Sequence, residues 1–444
     1  MQRLSKLMGW ALLTVLALPA AAQEIHQFSV RECIEYARKN NLQVKNALLD
    51  IRIQEQSNRA TTSAALPSVN ASGSLTDYFK VPIMLVPGEF VNRPGERIPV
   101  SFQTKYNATG SINLQQVLFD GQVFVGLQAR KTSMDYRQKN YEVTDEAIAA
   151  NIYKVYYQLS ASKTQVALLD ANIERASKLE HDVTVMHQNG FSEQLDVDRA
   201  NVQLANLQTE KEKLFNTIAN GYLGLKLLIG MPAKDSLVLT EAVTENEIKT
   251  GLMDSAYSYN DRLDFQSVQL ARKLNEFNVK RYKLSYWPTV SLNSAFSKNW
   301  FNDKFNMFGK SDWYTTLYVG LNVSFSIFDG FAKDANIKQA KYQLQQTENQ
   351  IEDLKKTIDN DVSTAFNTYR SAIVTLDLQK KNRTLAENVY TQTKKKYESG
   401  LASNTDITNT QTDLRTAETN YISAMYDAIV AKIDYLKAIG KLPK

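Results

Sequence analysis

The chain has 444 residues, a formal net charge of +5 and 22% charged residues. This mild excess of positive charge does not favour nucleic-acid binding, which usually needs a concentrated basic patch. The single cysteine, Cys33, excludes an internal disulfide, and a small buried side chain on a helix is its expected role.

The first 22 residues have the layout of a secretory signal peptide. Arg3 and Lys6 precede an apolar run over residues 8–18, and three alanines end the segment at Ala22. The run is about eleven residues long, whereas a membrane-spanning helix needs roughly 20. We therefore expect cleavage after Ala22. No later segment is apolar enough for a transmembrane helix, so a membrane assignment must depend on β-strands, whose signal is weaker.

The rest of the chain is predicted to contain two copies of one unit, residues 23–230 and 231–444. Phe119-Asp-Gly recurs as Phe328-Asp-Gly, an offset of 209 (119 to 328). Pro67 matches Pro288 at an offset of 221 (67 to 288), so the first copy has about twelve extra residues before Phe119, which we expect in a longer loop. The predicted elements of the two copies are opening helices at roughly 29–64 and 251–285, β-hairpins at about 67–119 and 288–328, and long helices at about 121–229 and 330–439.

The hairpin segments alternate with a period of two. Residues 317–327 place apolar side chains at odd positions and small polar ones at most even positions. This pattern is typical of strands with lipid on one face and water on the other. A soluble sandwich alternates equally well, but it needs more than four strands. Four strands cannot close a barrel, and lipid does not tolerate an open edge, so several chains must combine their strands.

Two proline-free runs of nearly 70 residues follow Gly121 and Gly330. As helices they would each be roughly 100 Å long. The return segments carry apolar residues at alternating spacings of three and four, as in Leu414, Ala417 and Tyr421, which indicates a coiled-coil seam. Three successive gaps of four near Ile358 form a stutter that locally unwinds a supercoil. We therefore predict long antiparallel helices that are only partly supercoiled.

The duplicated unit, the Phe-Asp-Gly motifs and the turn from Gly400 to Asp406 resemble the TolC-like outer-membrane efflux protein (outer membrane factor) family over essentially the whole mature chain. The resemblance implies an α+β membrane protein, a homotrimer whose 12-stranded β-barrel continues into a periplasmic α-helical tunnel. It implies a passive duct in a Gram-negative-type outer membrane. Substrates would come from an inner-membrane RND or ABC-type transporter through a periplasmic adaptor (membrane fusion protein).

The resemblance also implies two kinds of site. The turns between the paired long helices would dock the adaptor, although each turn glycine is also what any helix C-cap requires. Asp406 and Tyr397 would belong to a pore gate, and an acidic ring would attract cations; the alternative for Asp406 is a carboxylate favoured by the helix dipole. The docking residues are Asn189, Gly190, Phe191, Ser399, Gly400 and Leu401.

The sequence departs from the family pattern near the gate. A basic residue is expected two positions after the second turn, but Ala402 stands there, and a second acidic position is Asn409. Asp196 and Arg199 are candidates for a substitute link. We expect neither enzyme activity nor a cofactor or metal, because the three histidines lack metal-ligand spacing. A type I secretion duct and a non-channel surface or coiled-coil protein remain alternatives, and the cargo cannot be read from the sequence.

Overall fold

The computed structural model describes residues 25–242, 244–250, 256–309 and 312–443. The predicted signal peptide, residues 1–22, lies outside the described residues. The chain divides into two compact units. We call residues 50–137 and 268–351 the strand unit, and residues 25–49, 138–267 and 352–443 the helical unit. The two longest helices contribute residues to both.

The elements are numbered in chain order. The strands are β1 (Ile25–Phe28), β2 (Ser68–Asp77), β3 (Met84–Pro87), β4 (Arg97–Val100), β5 (Tyr106–Phe119), β6 (Ser236–Leu239), β7 (Thr289–Asn302) and β8 (Trp313–Ser324). The α-helices are α1 (Val30–Asn40), α2 (Leu42–Ser63), α3 (Gly121–Gln188), α4 (Gln194–Ile229), α5 (Glu245–Lys249), α6 (Leu263–Leu284), α7 (Ala332–Glu398) and α8 (Asn404–Ala438).

The strand unit is built on a four-stranded antiparallel sheet in the order β2-β5-β7-β8. The two hairpins share one register. Ser68 pairs with Gln115 in the first, and Thr289 pairs with Ser324 in the second, which are the same positions after the offsets of 221 and 209. The strands β2 and β8 form the two edges of this sheet. Their outer backbone groups have no partner strand within the sheet.

The two faces of the sheet differ in chemistry. On one face Leu75, Leu317 and Leu321 are exposed in the single chain. On the other face hydroxyls and amides bond across the strands: the Oγ atoms of Ser72 and Ser111 lie 2.8 Å apart. A sheet with one apolar and one polar face suits a boundary between lipid and water.

The extra residues of the first copy form a small hairpin. Strands β3 and β4 pair antiparallel around a 3-10 turn, which ends at Asn92 with φ of 59°. Gly88 donates its N–H to the carbonyl of Glu96 at 2.8 Å. The predicted longer loop is therefore an ordered hairpin in this structure.

The helical unit packs the distal parts of α3 and α7 with α4 and α8. Next to them β1 and β6 form a two-stranded parallel sheet. The hydroxyl of Tyr156 donates to the carbonyl of Phe28 at 3.0 Å and accepts from the N–H of Glu241 at 2.9 Å. Cys33 is buried on α1, as predicted. Among the described residues, no helix combines the length and apolarity needed to span a bilayer.

Both opening helices differ from the prediction. The first is two helices, because the backbone of Asn41 is extended, with φ of −62° and ψ of 129°. Its side-chain Oδ1 accepts the N–H of Gln43 at 2.7 Å and so caps α2. The second helix begins only at Leu263, after a 3-10 turn capped by Ser258. The prediction of a helix from residue 251 is therefore wrong for residues 256–262, and residues 251–255 are not described.

Candidate functional site

The two turns between the long helices have the same geometry. Gly190 and Gly400 are left-handed, with φ of 79° and 74°. The N–H of Phe191 donates to the carbonyl of Met186 at 2.9 Å, and that of Leu401 donates to Lys396 at 2.8 Å. These are the bonds of a Schellman motif, which satisfies the last carbonyls of a helix.

Each turn presents an exposed apolar side chain immediately after its glycine. Phe191 is 83% exposed and Leu401 is 79% exposed. The preceding residues are held to the helix end, since Asn189 Nδ2 donates to the carbonyl of Val185 at 2.7 Å and Ser399 Oγ donates to Lys395 at 2.8 Å. The turns therefore hold two apolar side chains in defined positions, which suits contact with a partner surface.

The Asp406 carboxylate takes part in a helix cap. Its Oδ2 accepts the N–H of Ser403 at 2.9 Å and the hydroxyl of Ser403 at 2.7 Å, and Ser403 Oγ accepts the N–H of Asp406. This is a capping box. The hydroxyl and backbone hydrogen bonds from Ser403 lower the pKa of Asp406. The exposed carboxylate is therefore negatively charged at neutral pH.

Asp196 and Arg199 contact each other within one helix. Asp196 lies in the first turn of α4 and its Oδ2 accepts the hydroxyl of Ser192 at 3.2 Å. Arg199 Nη1 lies 3.9 Å from Asp196 Oδ1. In the single chain this ion pair therefore does not join α4 to another helix. Its role as a substitute link stays a prediction.

Tyr397 lies on a small core at the same end of the helical unit. The cluster consists of Leu179, Val183, Val197 and Ile407, and Tyr397 packs against it. Burial raises the pKa of Tyr397, and the nearby carboxylates of Asp182 and Asp196 raise it further. The structure thus places Tyr397 near Asp196. Asp406 is adjacent in sequence to the cluster member Ile407.

Sequence reasoning missed a buried ion pair further along these helices. Glu418 on α8 is only 7% exposed. Its Oε2 accepts from Asn172 Nδ2 at 2.9 Å and lies 3.3 Å from Arg175 Nη2, both on α3. A buried carboxylate needs such partners, because unpaired burial is costly. Glu418 follows the seam position Ala417, so the apolar spacing of α8 did not single it out.

A polar groove lies between α4 and α8. Its volume is about 590 Å³. Gln203 Nε2 donates to Gln411 Oε1 at 3.3 Å across it, and the Arg415–Glu210 ion pair joins the same two helices at 3.0 Å. Asn409 lines this groove and Asp406 does not. Within the described ranges no group of three or more His, Cys, Asp or Glu residues could hold a metal.

The sequence of this chain is similar to those of known outer-membrane proteins. The family described as outer membrane efflux protein matches residues 259–441. The chain is 18% identical over 432 residues to outer membrane protein TolC of Vibrio cholerae serotype O1, covering 96% of this chain and 94% of that protein. It is 21% identical over 449 residues to outer membrane efflux protein BepC of Brucella suis biovar 1, covering 97% and 88%.

Solved structures share the fold. The outer membrane protein VceC of Vibrio cholerae superposes with a TM-score of 0.74 at 14% identity, covering 93% of this chain and 96% of that chain. CusC, described in terms of transmembrane channel formation, superposes with a TM-score of 0.76 at 16% identity, covering 96% and 95%.

The fold and these relatives support one class of protein, the outer-membrane efflux channels. Within that class the resemblance to the TolC-like outer-membrane factors that the sequence predicted is confirmed. The predicted location is confirmed as well: the outer membrane, with the helical part in the periplasm.

Proposed function

We propose that three copies of this chain form a passive duct through the outer membrane. The duct exports substrates delivered by an inner-membrane RND or ABC-type transporter through a periplasmic adaptor. The single observation that carries the proposal is the four-stranded sheet with one apolar face and two open edges. Open edges are not tolerated in lipid, and three such sheets joined edge to edge give a closed barrel of twelve strands.

The internal repeat predicts how neighbouring copies pair. Within the chain, β5 of the first copy pairs with β7 of the second, and Asn113 lies opposite Ala295. The same junction between chains would join β8 of one copy to β2 of the next. Applying the offsets of 209 and 221 places Asn322 opposite Ser74 of the neighbour.

The helix turns are the proposed docking end for the adaptor. Phe191 and Leu401 are exposed at equivalent positions of the two copies, so a trimer would carry six such side chains in a ring. The proposed gate lies at the same end and involves Asp406, Tyr397, Asp196 and Arg199. Since Ala402 and Asn409 depart from the family pattern, this gate would not depend on a salt bridge at those positions.

Engineered disulfides test the trimer and its register together. The variant combines Ser74→Cys and Asn322→Cys in a Cys33→Ala background. Within one chain these residues lie on opposite edges of the sheet, three strand spacings or about 14 Å apart across it. They are also offset along the strands, because Ser74 is level with Tyr314 and not with Asn322, so they are too far apart for a disulfide. We expect mild oxidation of the detergent-purified protein to give a covalent trimer on a non-reducing gel.

The matched control is Ser68→Cys with Asn322→Cys. This pair is six positions out of register, or roughly 20 Å, and should give no covalent trimer. A protein that is monomeric without detergent, or a control pair that crosslinks as well as the test pair, would contradict the proposal. The first result would instead favour a non-channel coiled-coil protein. Conductance of the purified trimer in a planar bilayer then tests the open duct.

A further inference from the structure

A groove opens on the strand unit where the strands meet the helices. It has a volume of about 580 Å³ and lies between the start of α3 and the end of α6. We call it the junction groove. Its lining includes the aromatic rings of Phe119, Phe124 and Trp287, the side chain of Leu284, and the polar ends of Gln128 and Lys280.

The junction groove continues the apolar face of the sheet. The register shifts between Val117 and Phe119, so that Phe119 lies opposite Val290, a position in phase with the apolar Leu292 and Phe296. The Phe119 ring centroid lies 5.6 Å from that of Phe124 and 6.2 Å from that of Trp287. Trp287 is 60% exposed and Phe124 is 40% exposed. The groove thus offers aromatic surface next to the face that would contact lipid.

Positive charge borders the far end of the junction groove. The Lys280 ammonium donates to Gln128 Oε1 at 2.8 Å, which uses one of its three donors. The sequence has no acidic residue between Glu276 and Asp303, and none between Asp120 and Asp135. The Asp120 carboxylate caps α3, because its Oδ1 accepts the N–H of Gln122 at 2.8 Å. The groove is therefore suited to an anionic group.

The length of the groove along α3 is comparable to the thickness of the headgroup layer of a bilayer. From Gly121 to Gln128 the helix rises about 10 Å. The polar layer on each side of the hydrocarbon is roughly 5–8 Å thick. With the strands in the membrane, as the proposed duct requires, the aromatic rings lie at the hydrocarbon border and Lys280 lies near the phosphates.

We propose that the junction groove binds an anionic phospholipid of the periplasmic leaflet. The lipid phosphate contacts the Lys280 ammonium, and the glycerol and upper acyl chains pack on Phe124 and Trp287. Tryptophan is suited to this boundary, since its ring is apolar and its N–H is polar. This inference depends on the proposed membrane position of the strands.

The test uses the full-length mature protein in detergent and counts bound lipids by native mass spectrometry during titration with phosphatidylglycerol. We expect Lys280→Gln to weaken phosphatidylglycerol binding about fivefold, the effect of one lysine near an anionic lipid surface. The matched control is Lys273→Gln, an exposed lysine seven residues earlier on the same helix, about 10 Å farther from the strands. It should bind as the unmodified protein does.

Three results would overturn the lipid site. If Lys280→Gln and Lys273→Gln bind phosphatidylglycerol equally well, Lys280 is not part of the site. If the protein retains zwitterionic phosphatidylcholine as well as phosphatidylglycerol, the site does not select for charge. Full competition by soluble glycerophosphate would identify a free-phosphate site instead. A trimer that conducts while Lys280→Gln binds lipid normally contradicts this inference alone. Lys280-dependent binding by a protein that forms no trimer contradicts the proposed duct alone.

Discussion

Asp406 has one observed role, in the cap of a helix, and one proposed role, in the gate of the trimer. In the single chain it accepts two hydrogen bonds from Ser403 and completes the capping box of α8. It is also exposed and charged at neutral pH, because the Ser403 hydrogen bonds lower its pKa. The helix cap alone explains the position of the carboxylate in the single chain. A ring that attracts cations would need the Asp406 carboxylates of three chains.

Two substitutions separate these roles. Ser403→Ala removes the cap but keeps the carboxylate, and the lost N-cap should cost about 1 kcal/mol of stability. Asp406→Asn removes the charge. If Asp406 forms a ring in the duct, we expect Asp406→Asn to weaken block by divalent cations severalfold in planar-bilayer recordings, and Ser403→Ala to leave block unchanged.

The pH dependence of cation block provides a check on the same assignment. Since the pKa of Asp406 is below its ordinary value of 3.8, block should be constant at pH values above about 5. Equal block in the unmodified protein and Asp406→Asn would leave the carboxylate with its capping role only.

At the scale of elements, left-handed glycines end the long helices, but their surroundings differ. A Cβ on Gly400 would have no heavy atom within 4 Å, whereas one on Gly440 would lie 2.5 Å from the carbonyl oxygen of Asp261. Gly230 is similarly confined, at 2.6 Å from the backbone of Asn40. The glycines of the docking turns are therefore needed only for their left-handed backbone. Gly230 and Gly440 are needed for that backbone and also because a side chain would not fit there.

Alanine substitutions should reveal this difference. Gly400→Ala places a side chain in the left-handed region, at a cost of about 1–2 kcal/mol. Gly440→Ala has the same conformational cost and also forces the backbone of Asp261 to move, so we expect at least twice the destabilisation. Thermal unfolding followed by far-UV circular dichroism provides the measurement. Equal losses of stability would mean that the 3-10 turn before α6, which contains Asp261, can shift freely.

The local elements could be read from the sequence, and several long-range contacts could not. The absence of proline after Gly121 and Gly330 predicted helices that the structure places at 121–188 and 332–398. The alternation of residues 317–327 predicted a strand; β8 spans Trp313–Ser324, so the last three residues of that run lie outside it. The parallel pairing of Ile25 with Ser236 was not predictable, because two strands of four residues carry almost no periodic signal.

The candidate site also combines features that the local sequence predicts with contacts that it does not predict. The turn glycines and their exposed neighbours follow from local sequence, and the Ser403-x-x-Asp406 spacing itself is a capping-box signal. The contact between Glu418 and Arg175 joins residues far apart in the chain, so no local pattern specifies it. The position of Tyr397 beside Val183 and Val197 likewise required the packed helices.

At the scale of the whole chain, buried tyrosines connect the long helices to the short helix α5. The Tyr369 hydroxyl on α7 donates to the carbonyl of Ile248 at 2.6 Å, and that of Tyr421 on α8 donates to Glu245 Oε1 at 2.5 Å. Burial raises the pKa of both phenols to about 12, and the Glu245 bond adds to the effect at Tyr421. The helical unit is thus held in part by phenols that must stay protonated.

This arrangement predicts sensitivity to alkali. In the unfolded chain a tyrosine ionises near pH 10, whereas the folded phenols ionise near pH 12. Their stabilising contribution is therefore complete below about pH 10 and is lost as pH rises towards 12. We expect the apparent melting temperature to fall over this range, and Tyr369→Phe with Tyr421→Phe to make the fall less steep. The exposed Tyr342→Phe is the control, and an unchanged slope in the double variant would contradict the prediction.

The open edges of the four-stranded sheet have a genetic consequence. In the proposed trimer no chain can complete a barrel without both neighbours, so one copy that folds but cannot function disables the other two. If half of the chains in a cell carry such a defect and mix at random, roughly one trimer in eight is fully normal. A defective allele should therefore be dominant over the intact one, whereas an allele whose chain cannot pair at all should be recessive.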